Sequence, residues 1–251
     1  MYLAPAEPSD KLIVCFQALQ RVPIYNYIQA IDGVHAHRLY IKEGYGSDEL
    51  THASLYLNGN NPIPVADLVQ ELIEKYVQSL KIPQENTIFF GCSQGGFAAL
   101  YHGYKYGAGH IIAGEPTIFL GKYEELVRIT SLSLENVSKI FQSISGQAPS
   151  NKIKEYANNI LFDVIKESTA PYPKVRIYMG SNIQHNQEQL EPFIQWVEAN
   201  NITSVFLDKG GFNAHRELAK YFPLYLKDTL DKIINGELYN DHPQTIFLGN
   251  P

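Results

Sequence analysis

Ile88-Phe89-Phe90-Gly91-Cys92-Ser93-Gln94-Gly95-Gly96-Phe97-Ala98-Ala99-Leu100 is the stretch that decides the fold. An apolar run of strand character leads into a Gly-x-Ser-x-Gly turn at Gly91, Ser93 and Gly95, and helix-forming residues continue beyond it. The pentapeptide alone is weak evidence; its place between a buried strand and an amphipathic helix gives it meaning. A serine at such a turn is held in a strained backbone conformation that points its side chain into solvent. Flanking glycines let neighbouring backbone pack closely without a Cβ clash. The helix that begins at Gln94 brings its N-terminal amides and positive dipole end beside Ser93, where they can stabilise an oxyanion.

Working outward, short β-rich runs alternate with helical patterns. Leu12–Phe16, Arg38–Ile41, Thr87–Phe90, His110–Gly114, Lys174–Met179 and Thr203–Leu207 read as strands. Leu68, Val69, Leu72, Ile73, Tyr76, Val77 and Leu80 recur with the 3.6-residue period, so 65–80 is a helix, with Pro64 at its start and Pro83 beyond its end. Further helices are expected from the elbow to Tyr106, with Gly107 as the stop, and over 187–200 and about 215–234. Strands separated by helices predict a doubly wound, mostly parallel sheet, and the elbow makes it an α/β-hydrolase fold. Residues 117–173 interrupt the alternation and are expected to form an inserted helical cap over the sheet's carboxyl edge, within a single domain spanning 1–251. The other reading of 117–173 is two extra packed helices. The tail 237–251 is expected to be an arm with little core.

Composition excludes several classes. With 251 residues, 45% hydrophobic and 18% charged, the chain is neither disordered nor fibrous. Two cysteines, Cys15 and Cys92, are too few for a disulfide framework or a structural zinc site. His35 and His37 share one strand face but lack a third ligand nearby, so no metal is expected, and nothing points to a cofactor. A formal net charge of −6 with scattered Lys and Arg argues against nucleic acid. No apolar run is long enough to span a bilayer, and the N-terminus shows no leader pattern, so a cytoplasmic location is expected.

A serine hydroxyl needs a base. In α/β-hydrolase folds the chain order is Ser, acid, His, which leaves His185, His215 and His242. His215 follows the last strand and the Gly210-Gly211 loop, which puts it at the carboxyl edge. The acid is expected just after strand 174–179, yet Gly180-Ser181-Asn182-Ile183-Gln184-His185-Asn186-Gln187-Glu188 holds no carboxylate before Glu188. Glu188 is therefore the candidate acid, with Asp208 second. Asn182 or His185 orienting His215, and a Ser–His dyad, stay open. By analogy with the fold, the oxyanion donors are the amides of Gln94 and of Gln17 or Ala18, after the strand 12–16. Cys92, inward-facing before the serine, reads as packing rather than as a reactive thiol.

The elbow, followed by Lys105-Tyr106-Gly107 and by Gly114-Glu115-Pro116-Thr117-Ile118-Phe119-Leu120-Gly121-Lys122-Tyr123, resembles α/β-hydrolase-like proteins of bacterial capsular and surface polysaccharide biosynthesis. These are related to the sugar O-acetyltransferase component of the accessory Sec system. The resemblance is strongest over 87–123 and looser from 11 to 234. It implies a nucleophile at Ser93, a base at His215 and an acid between them; the lack of Asp or Glu directly after 174–179 departs from that pattern. It also implies an acyl-ester or glycan substrate and partner proteins of a polysaccharide or secretion assembly. Two functions follow as expectations. One is a serine esterase or O-acyltransferase. The other is a hydrolase-like scaffold, weak or inactive, that binds glycan or proteins.

Overall fold

The computed structural model describes residues 1–18, 24–43, 54–59, 63–122, 134–181 and 183–238. His242, Asn182 and the tail beyond 238 lie outside the described residues.

Among the described residues seven strands form one sheet: β1 (Tyr2–Ala4), β2 (Leu12–Phe16), β3 (His37–Ile41), β4 (Thr87–Cys92), β5 (His110–Gly114), β6 (Lys174–Met179) and β7 (Val205–Lys209). Their order is β1-β3-β2-β4-β5-β6-β7. Every neighbouring pair is parallel except β1 with β3. The helices are α1 (Val65–Leu80), α2 (Gln94–Tyr106), α3 (Leu134–Ser145), α4 (Asn151–Glu167), α5 (Glu191–Ala199) and α6 (Leu218–Ile234). The fold class is as expected from sequence. β1 is additional, and β7 lies two residues later than expected, which brings Asp208 inside the strand.

Side-chain alternation explains why the central strands read as unbroken apolar runs. Leu12, Val14 and Phe16 of β2 point into one hydrophobic cluster, with Phe89 and Ile111. Ile13 and Cys15 point into the other, with Ile88, Phe90 and Ile112. A strand covered on both faces has no solvent side on which to place polar residues. The first cluster is closed by α1, α2, α4 and α5, and the second by residues 31–36 and α6.

Of 117–173, expected as an inserted cap or as two extra packed helices, residues 117–122 and 134–173 are described. α4 packs along α2. Its first turns lie at Gly121, whose amide donates to Asn158 (2.7 Å). Beyond its other end, Ser168 donates to the Tyr104 carbonyl (3.0 Å) near the end of α2. α4 therefore runs the height of the sheet as the β5-to-β6 crossover, burying Ile153, Ala157, Leu161, Phe162 and Ile165. Ile140, Phe141 and Ile144 of α3 join the same cluster. The reason is topological: two adjacent parallel strands need a crossover, and this stretch is the chain between them. No helix among the described residues is long and apolar enough to cross a membrane.

The order of β3, β2 and β4 positions the site. β2 connects to β3 on one side and, through α1, β4 lies on its other side. The chain thus reverses direction across the sheet between β2 and β4, and such a reversal opens a crevice at the strands' carboxyl ends. Gln17, Ala18 and Ser93 all emerge there.

Two histidines serve packing. His102 on α2 is fully buried and stacks on Phe16 with ring centroids 5.2 Å apart. Its Nε2 donates to the Tyr56 carbonyl (3.0 Å) and its Nδ1 accepts from Gln70 (2.8 Å), so the neutral ring is fully satisfied. Burial pushes its pKa down to about 3. Burial, helped by Lys174 and Lys11, brings that of His110 down to about 4. Both groups bind a proton more readily in the unfolded chain, where histidine titrates near 6.5. Their contribution is complete above that pH and is lost as pH falls from about 6.5 towards 4. Urea unfolding at about pH 7.5 and about pH 5 is expected to show a loss on the order of 2–4 kcal/mol at the lower pH; an unchanged midpoint would contradict it.

Candidate active site

Ser93 sits between β4 and α2 with φ 52° and ψ −122°, a region that non-glycine residues rarely occupy. Three hydrogen bonds hold it there. Its amide donates to the Gly114 carbonyl (2.8 Å), and its carbonyl accepts from Phe97 (3.1 Å) and Thr117 (3.2 Å). The glycines around it are steric requirements. A Cβ on Gly91 would lie 2.2 Å from the Gly95 carbonyl oxygen, and one on Gly95 would lie 2.5 Å from that of Phe16. The elbow is thus wedged against the end of β2.

His215 begins the short turn His215–Glu217 that leads into α6. Its Nε2 lies 3.0 Å from Ser93 Oγ, and its Nδ1 lies 2.7 Å from Glu115 Oε2. The carboxylate hydrogen-bonded to His215 is thus that of Glu115, directly after β5, whereas that of Glu188 accepts from Gln184. Glu115 has no exposure. Its amide donates to the Tyr178 carbonyl (2.8 Å), its Oε1 accepts from Gly180 (3.1 Å), and its φ of 35° marks a second strained non-glycine residue.

The other candidate acids are committed elsewhere. Glu188 accepts from Gln184 (2.9 Å) on the partly exposed surface, and its backbone carbonyl takes Lys122 Nζ (2.5 Å). Asp208 receives Arg176 bidentately at 2.7 and 2.5 Å and the Tyr225 hydroxyl at 2.5 Å. Residues after β6 turn into a helical segment, Ile183–Leu190, which carries both His185 and Glu188. What that segment does bring to the site is His185, buried and with its ring centroid 5.1 Å from that of His215.

The loop that carries His215 is tied to β6. Phe212 is buried against Gly180 and Gly210, where any Cβ would lie 2.5 Å from its ring. Ser181 donates to the Phe212 carbonyl (2.7 Å), and Gly210 to that of Met179 (2.7 Å). Glu217 accepts from the amides of Asn213 (2.9 Å) and Ala214 (3.1 Å), and these bonds, Asn213 first, hold its carboxyl below the usual range.

Among the expected oxyanion donors, Gln94 occupies the first position of α2, where a helix amide has no intrahelical partner. Gln17 is corrected. Its amide already donates to the Ile41 carbonyl (3.3 Å) and to the Tyr56 hydroxyl (3.1 Å), because the β2–β3 ladder extends one residue past the strand. Ala18 is the first residue beyond that ladder. The side chains of Gln94 and Thr117 are buried on either side of Ser93 without hydrogen-bond partners among the described residues.

Cys92 is a packing residue. Burial, only partly offset by its hydrogen bond with the Tyr27 hydroxyl, pushes its thiol up to about 11, so it stays protonated. His35 and His37 hold the N-terminal segment: His37 accepts from Ala6 (3.2 Å) and donates to Ser9 (3.2 Å), and His35 lies 2.6 Å from the Pro8 carbonyl. Sequence reasoning misses Glu115 because it looks for the acid after β6, the strand nearest the histidine loop. The available signal was a carboxylate directly after an apolar strand and before a proline, in Gly114-Glu115-Pro116.

The chain matches no protein-family model, and no curated protein sequence matches it significantly. Solved structures do resemble it. The Gap123 glycosylation-associated complex of Streptococcus agalactiae aligns over 97% of this chain, which spans 45% of that one, at 15% identity and a TM-score of 0.71. The capsule O-acetyltransferase of Neisseria meningitidis serogroup A aligns over 90% of this chain and 87% of its own, at 19% identity and a TM-score of 0.67. The fluorophosphonate-binding serine hydrolase FphF of Staphylococcus aureus covers 92% and 86% at 15% identity and a TM-score of 0.65. At these identities the likeness is one of fold, and the fold is that of the α/β hydrolases.

Gly95→Ala is expected to lower stability by about 1–3 kcal/mol, since its Cβ would meet backbone that cannot swing aside. Thermal unfolding measures it, and a Tm equal to that of the wild type would contradict the close approach of β2 to the elbow.

Proposed function

We propose that the chain is a serine-dependent acyl-ester enzyme, an esterase or an O-acyltransferase acting on a surface glycan or related ester in the cytoplasm. The single observation that carries this reading is the continuous hydrogen-bonded line from Ser93 Oγ through both nitrogens of His215 to the buried carboxylate of Glu115. In the reading, His215 Nε2 takes the Ser93 proton as Oγ attacks an ester carbonyl. Glu115 receives Nδ1–H, fixes the tautomer and stabilises the imidazolium that forms. The amides of Gln94 and Ala18 receive the oxyanion. The leaving group then takes the proton from Nε2, and the acyl group rests on Ser93.

The second half decides between hydrolysis and transfer. Water or a sugar hydroxyl gives its proton to His215 and attacks the acyl-enzyme, and the same residues serve both acceptors. Likeness to the meningococcal capsule O-acetyltransferase supports transfer to a glycan hydroxyl, and likeness to the staphylococcal serine hydrolase supports hydrolysis. Likeness to a component of a glycosylation-associated complex supports work alongside partner proteins. The carboxylate of Glu115 beside His215 supports the enzyme over the hydrolase-like scaffold.

Two experiments test the proposal. Ser93→Ala is expected to abolish turnover of p-nitrophenyl acetate and labelling by a fluorophosphonate probe while the protein stays folded; turnover equal to the wild type would overturn it. Glu115→Gln should cut kcat by about 10²–10⁴-fold, whereas Glu188→Gln should leave it within about twofold. Equal losses in the two variants would remove Glu115 from its assigned role.

A further inference from the structure

We infer that Glu115, His185 and His215 form a site for a zinc-class divalent cation whose occupation switches the nucleophile off. The three residues each offer a ligand atom, and these atoms all lie within 4.8 Å of one another. Two imidazoles and one carboxylate are a zinc-type donor set. Bonds of about 2.0–2.1 Å in a tetrahedron separate the ligand atoms by about 3.4 Å, so small side-chain rotations close the site. Glu115 and His185 are buried and His215 is partly exposed.

The trio results from where the acid comes from. Glu115 reaches His215 from β5, and the segment after β6, in which a carboxylate was expected, instead packs His185 beside the same ring. A second imidazole beside that carboxylate has no part in the proton transfer described above. It adds a ligand.

Loss of function follows from proton bookkeeping. A neutral imidazole carries one proton. If the cation takes Nδ1 of His215, that proton moves to Nε2, which then donates and can no longer accept from Ser93 Oγ. If the cation takes Nε2, the base itself is occupied. Either coordination removes the base, and chelation of the metal restores it.

The inhibition rests on the proposed serine chemistry, but the binding does not, so the two are measured separately. Metal-stripped protein is titrated with Co²⁺ and followed by its visible d–d absorption, then competed with Zn²⁺. One site per chain is expected, weakened at least about 10-fold in His185→Phe, which keeps a ring, and in Glu115→Gln, which keeps the shape. Should either variant fold poorly, the other still reports. In parallel, Zn²⁺ should abolish p-nitrophenyl acetate turnover reversibly with EDTA. His185→Phe should keep its metal-free turnover and lose at least about 10-fold of the Zn²⁺ sensitivity. Binding of wild-type affinity in both variants, or inhibition that His185→Phe leaves unchanged, would overturn the site. Absent turnover with the expected Co²⁺ spectrum would overturn the serine reading alone.

Discussion

A carboxylate with no solvent exposure is the constraint around which the carboxyl edge is built. Burying Glu115 costs several kcal/mol unless its oxygens are paired. One oxygen takes the Gly180 amide and the other His215 Nδ1, so two loops from different strands are needed before the charge is tolerable. The arrangement is reciprocal. Without Glu115 the Gly180 turn loses a partner, and without the loop after β7 the carboxylate loses His215.

Around that charge, strain is concentrated in two neighbours. Ser93 and Glu115 both have positive φ, and the Ser93 amide donates to the carbonyl of Gly114, the residue before Glu115. Each such conformation costs on the order of 1–3 kcal/mol and persists where surrounding structure over-determines it. Here the fixing elements are the β4–β5 pairing, the glycine contacts at the elbow and the packing of Phe222 against Gly114.

The fold was legible because its signals are local and repeated: apolar runs for strands buried on both faces, a 3.6-residue period for α1, glycine at the stop of α2. Ser93 and His215 were legible for a related reason, since each sits at a punctuated strand end. Glu115 was not, because several strands end at this edge and sequence does not say which end faces the histidine. The choice between Gln17 and Ala18 turns on a finer point: whether an amide is free depends on how far the neighbouring ladder extends, which no side chain reports. For 117–173 the sequence left a cap and two extra packed helices both open, because a helical stretch does not say against which part of the sheet it packs; α4 packs along α2.

The attachment of the His215 loop to β6 through Phe212, Gly180 and Gly210 has a consequence for the order in which the protein becomes competent. Ser93, Glu115 and the amides of Ala18 and Gln94, the proposed nucleophile, acid and oxyanion donors, all lie N-terminal to β6, whereas His215, the proposed base, follows β7. During synthesis Ser93 and Glu115 therefore emerge about 100 residues or more before His215. In the proposed reaction the serine gains its base only once β7 and α6 have docked.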